Sequence, residues 1–107
     1  MFVPIFALPV AAHLMVAAAD GVPKLDVTPS CRGAVAAKVL AQSVNALQSC
    51  LDTEQKTHST LFKEWLEFAL SDRAKCVNAV MSFSPTYTEL LTCLEFSREL
   101  KKQTPAQ

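Results

Sequence analysis

The sequence predicts a small all-α protein: a disulfide-stapled bundle of two helical hairpins, placed after an N-terminal export signal. Three observations carry this expectation. From Leu47 to Phe68 a seam of mostly apolar residues recurs at alternating steps of four and three, the spacing of one helix face. Cysteines stand at positions 31, 50, 76 and 93, an even and widely spaced set. No stretch alternates apolar and polar residues as a half-buried strand would.

Residues 1–19 contain no Asp, Glu, Lys or Arg. The segment ends in Ala17-Ala18-Ala19, the A-x-A pattern of a signal-peptidase site, with cleavage expected before Asp20. An uncleaved anchor and a buried core helix are the rival readings. The run is about the minimum length for a membrane span, and Pro4 and Pro9 weaken it as a helix. His13 belongs to this segment and is not counted as a ligand. No cysteine follows the run closely, which argues against a lipoprotein anchor. The expected organisation is therefore a signal peptide or anchor over 1–19, an extended arm over 20–29, a four-cysteine helical domain over 30–103 and a flexible tail over 104–107.

Every charge lies from Asp20 onward, ten acidic against ten basic. A net charge of zero gives no electrostatic case for nucleic acid as a partner. Arg98, Lys101 and Lys102 form a short basic end, which fits complementing a helix dipole.

Gly21, Pro23 and Pro29 mark the arm as extended. A first helix over 30–40 can begin at Ser30, although Gly33 lowers its propensity. A break is expected between Ala41 and Asn45, with Ser43 able to cap the next helix; one continuous helix is the alternative. The second helix, 44–69, presents the seam Leu47, Leu51, Glu54, His58, Leu61, Trp65 and Phe68, flanked by Cys50 and Phe62. Ser71 and Asp72 are expected to start a third helix over 72–81, with Arg73 as an exposed charge. Cys76, Val80 and Phe83 form its apolar stripe, and Ser84-Pro85 ends it. Thr86-Tyr87-Thr88-Glu89 reads as a capping box. The fourth helix should bury Leu90, Leu91 and Leu94 with Tyr87 half covered, leaving Cys93, Phe96 and Leu100 on a flank.

Four cysteines allow three pairings, and helix geometry ranks them. Cys50 lies near the start of the long helix, roughly 27 Å from its far end at 1.5 Å per residue, so it cannot reach Cys76. The midpoint of Cys76 and Cys93 falls at Ser84-Pro85, and that of Cys31 and Cys50 falls at Leu40-Ala41. Antiparallel hairpins folded at those points bring each pair level. The expected disulfides are Cys31–Cys50 and Cys76–Cys93. Zinc sites normally use close pairs such as C-x2-C, and redox thiols use C-x-x-C; neither spacing occurs here. No cofactor is expected.

The blocks CR, SCLDTEQ, LFKEWLEF, DRAKCV and SPTYTELLTCLEF together resemble a group of small exported proteins of rhizobia and related alphaproteobacteria. The resemblance spans Cys31 to Arg98 and is most specific over Tyr87 to Glu95. That group has no assigned activity. The resemblance implies export and a four-cysteine helical domain, and it transfers no catalytic residue.

Three side chains stand out as candidate binding or pH-sensing residues: Glu54, His58 and Trp65. Glu54 and His58 sit one turn apart on an otherwise apolar seam. They read as a plain i, i+4 polar pair, or as a metal pair or pH sensor, since histidine side chains in general titrate near neutrality. Trp65 and Phe68 read as core, or as an exposed binding anchor. Lys63, Glu64 and Glu67 read as a solvated face. With two glycines in the chain there is no P-loop or G-x-G-x-x-G, and no G-x-S-x-G elbow occurs. The expectation is a non-catalytic, periplasmic or secreted module that binds another protein or the cell envelope. It would touch a membrane only if residues 1–19 stay attached. Two alternatives are a carrier of a small apolar ligand, in a cavity lined by Leu61, Trp65, Phe83 and Leu94, and an acid-stress chaperone that uses Glu54 and His58.

Overall fold

The structure, a computed structural model, describes residues 21–37 and 45–103. These form four helices: α1 (Thr28–Ala36), α2 (Ala46–Glu64), α3 (Leu70–Ser82) and α4 (Tyr87–Gln103), with a short 3-10 turn, Trp65–Glu67, after α2. There is no strand among the described residues. The proposed export segment, the expected cap Ser43 and the expected tail lie outside them.

The bundle is two disulfide-linked hairpins, paired as the midpoints require. Cys31–Cys50 ties α1 to α2 and Cys76–Cys93 ties α3 to α4, each with Cα atoms 5.7 Å apart. α4 packs against both α2 and α3. Glu54 bonds Thr88 and, ten residues on in each helix, Glu64 meets Arg98, so α2 and α4 run parallel. Leu61, Leu90 and Leu94 are fully enclosed at the centre, with Trp65, Phe68, Cys76, Val80 and Tyr87 around them. Leu25 joins this core from the arm, which has no regular secondary structure from Val22 to Val27 and turns into helical geometry at Val27.

Helix boundaries depart from the sequence expectation where a local signal competes with packing. α1 begins at Thr28, before the expected Ser30, and takes Pro29 into its first turn, where proline's missing N–H leaves no bond unmade. The Thr28 N–H instead finds the Asp26 carboxylate at 3.2 Å. α2 follows Asn45, which makes no side-chain cap. It stops at Glu64 instead of Ala69: the 3-10 turn tightens the backbone and Phe68 becomes extended. Trp65 and Phe68 both enter the core.

α3 starts at Leu70, so Ser71 and Asp72 lie inside its first turn and the N-cap position falls to Ala69. Arg73 is buried, contrary to its expected exposure. Its Nε donates to the Phe68 carbonyl at 3.2 Å and its guanidinium stands 5.7 Å from the centre of the Trp65 ring. Asp72 is also buried and accepts from Lys101 Nζ at 2.8 Å. Each charge enters the interior with partners, as burial of an ion demands. On the expected solvated face Lys63 and Glu67 are exposed, while Glu64 is half-buried and 4.0 Å from Arg98.

Phe83 is the main departure among the apolar positions. α3 ends at Ser82, and the chain leaves helical geometry at Phe83, which is 83% exposed. Leu91 and Cys93 are half-buried at the edge of the core, and Phe96 and Leu100 are exposed.

Candidate functional site

The polar residues singled out on the α2 seam converge on the start of α4. An α-helix begins with N–H groups that have no partner within it. In α4 these are all accounted for. Thr86 donates to the Ser84 carbonyl at 2.7 Å, and Glu89 donates to Thr86 Oγ1 at 3.1 Å. The two between them, Tyr87 and Thr88, donate to Glu54 Oε1 at 2.7 and 3.3 Å. Glu54 Oε2 accepts the Thr88 hydroxyl at 2.5 Å. The capping box is thus half made: Thr86 caps Glu89, but the carboxylate that completes the end comes from α2, 33 residues earlier than Tyr87. A negative charge at a helix N-terminus also has the favourable sign for the helix dipole.

Glu54 therefore serves α4 and makes no pair with His58. The His58 ring instead lies on the Tyr87 ring, with centroids 4.4 Å apart. Tyr87 is more deeply buried than its amphipathic character predicted, because its hydroxyl has an interior task. It accepts the Leu25 N–H at 2.8 Å and donates to the Pro23 carbonyl at 3.2 Å. Glu54, His58 and Tyr87 so form a chain of contacts from α2 through the start of α4 to the arm. Tyr87→Phe removes both arm bonds and keeps the ring. It is expected to cost about 1–2 kcal/mol and to speed hydrogen exchange of the Leu25 amide. Unchanged exchange at Leu25 would mean that the arm is held by its leucine alone.

Trp65 is 4% exposed and lies in the core, away from the surface position an anchor would need. Its Nε1 has no hydrogen-bond partner among the described residues. Of the residues drawn together for a ligand cavity, Leu61, Trp65 and Leu94 do meet, but in the closed core, and Phe83 faces solvent. All four cysteines are in disulfides, and among the described residues no three His, Cys, Asp or Glu side chains are grouped to hold a metal.

The seam marked Glu54 and His58 as unusual, and an acid on an apolar seam was the available signal. Tyr87 as the link to the arm carried no such signal, since its partners Pro23 and Leu25 are backbone groups over sixty residues away.

Two disulfides fit an oxidising, extracellular-type environment. No described helix is long and apolar enough to cross a membrane. Compared with protein-family models, with curated proteins and with solved structures, the chain matches none of them.

Proposed function

We propose that this protein is an exported, non-catalytic module of the periplasm that docks another protein on a rigid apolar groove. The observation that carries this reading is Phe83, which stands 83% exposed beside a groove of about 330 Å3 between α3 and α4. Ala79, Val80 and Cys93 line the groove, and the Cys76–Cys93 bond holds its two walls together. A fixed groove with an exposed aromatic at its end suits the apolar face of a partner helix. Export is supported by the charge-free segment 1–19 with Ala17-Ala18-Ala19 at its end, by the two disulfides, and by the resemblance to exported four-cysteine proteins.

The test places a photo-crosslinking phenylalanine analogue at position 83 of the full chain, in a bacterium with a periplasm. A second variant carries it in place of Lys56, exposed on α2. A discrete protein adduct from position 83 alone, on material whose N-terminus is Asp20, is the expected result. Equal labelling from both positions, or an intact Met1 with free thiols, overturns the reading.

A further inference from the structure

The arm and α2 enclose a second cleft, of about 420 Å3. This lies within the roughly 300–1,000 Å3 of small-molecule sites. Its apolar wall is Val22, Leu25, Val27 and Leu51. Its polar groups divide into two kinds. Glu54 and Tyr87 are spent: both carboxylate oxygens serve α4, and the hydroxyl both donates and accepts with the arm. Lys24, Gln55 and His58 also line the cleft, and their side chains make no hydrogen bond or ion pair among the described residues.

That asymmetry sets the sign of a guest. The only carboxylate in the lining is Glu54, and its charge is held against the N–H groups of α4. Asp26 and Asp52, nearby along the chain, are exposed to solvent, which screens their charges, and neither lines the cleft. The unspent groups are one ammonium, one imidazole and one amide, all able to donate. An anionic head entering the cleft gains these donors and meets no free acid in its lining. A cationic head meets Lys24.

We propose that this cleft binds a medium-chain alkyl carboxylate, its chain along Val22, Val27 and Leu51 and its carboxylate at Lys24 and His58. The site is formed by the docked arm, lies apart from the groove at Phe83, and does not depend on the docking of a protein partner.

The test is a titration of the disulfide-intact, 15N-labelled protein with decanoate and, separately, with decyltrimethylammonium, both below their micelle-forming concentrations. Saturable shifts in the amides of Val22, Leu25, Val27, Leu51 and His58 are expected with decanoate. The ammonium analogue should bind at least about tenfold more weakly. Lys24→Glu, at an exposed side chain, should weaken decanoate by a similar factor and leave the stability unchanged. Equal affinity for the two head groups overturns the proposal, as does decanoate binding that shifts Phe83 and Phe96 instead. Absence of saturation up to millimolar decanoate also overturns it, and the reading of the Phe83 groove would stand regardless.

Discussion

Replacing Glu54 with alanine is expected to lower the stability of the folded protein by about 2–3 kcal/mol. The carboxylate is 6% exposed and accepts two backbone N–H groups and one hydroxyl at the start of α4. Alanine leaves the buried Tyr87 N–H and the half-covered Thr88 N–H and hydroxyl without this acceptor, and it removes a negative charge from a helix N-terminus. Glu54→Gln keeps the shape and one acceptor oxygen. Its oxygen can still accept the Tyr87 and Thr88 N–H groups, and its amide can donate to the Thr88 hydroxyl, so mainly the charge at the helix N-terminus is lost and the smaller part of the effect should remain. Urea unfolding under non-reducing conditions, followed by circular dichroism, measures both variants. A loss below about 0.5 kcal/mol for the alanine variant would show that Thr86 suffices as a cap. The effect should also reach the arm, because Glu54 positions Tyr87 and Tyr87 holds Pro23 and Leu25. Faster exchange of the Leu25 amide in Glu54→Ala is the accompanying expectation.

The two disulfides should differ in what their removal releases. They close loops of similar length, with sequence separations of 19 and 17, so the chain-entropy argument assigns each about 3 kcal/mol. Their surroundings are unlike. Cys76 sits in the central core and joins α3 to α4, the helix that packs on both α2 and α3. Cys31 is the only buried residue of α1. Replacing Cys76 and Cys93 together by alanine should therefore shift one cooperative unfolding transition of the whole bundle to lower urea. Replacing Cys31 and Cys50 should free α1 first. The denaturant slope of the main transition should then fall, since less surface is exposed when the remainder unfolds. Hydrogen exchange read by mass spectrometry should show α1 unprotected and α4 still protected. If α4 loses protection equally in both variants, α1 belongs to the cooperative core and the contrast fails.

How much was legible in the sequence follows the range of each interaction. Every residue of the seam from Leu47 to Phe68 is buried or half-buried, because helix periodicity depends on residues a turn apart. The stop at Glu64 was not legible: nothing between Glu64 and Ala69 is a proline or glycine, and the apolar spacing of Trp65 and Phe68 reads as continued helix. Phe83 misled for a related reason. It keeps step with Cys76 and Val80 only if the helix continues, and Ser84-Pro85 ends the helix one residue too early for that. Arg73 read as a surface charge because its partners, the Phe68 carbonyl and the Trp65 ring, are brought beside it by the turn.

At the candidate site the same division holds. Glu54 and His58 could be found from the sequence as polar residues on an apolar face, but their roles could not. One carboxylate fits a neighbouring histidine, a metal or a helix end equally well until the other partner is known.

The all-α class and the disulfide pairing were already set in the sequence. Both rest on the regular periodicity and rise of the helix, which involve residues close along the chain. Only the tertiary structure decided that α2 and α4 run parallel, that Glu54 caps a helix from another hairpin, and that Tyr87 ties down the arm. Those contacts join residues 33 to 64 positions apart. At such separations chain geometry no longer constrains which groups meet, and the choice falls to the collective packing of the core.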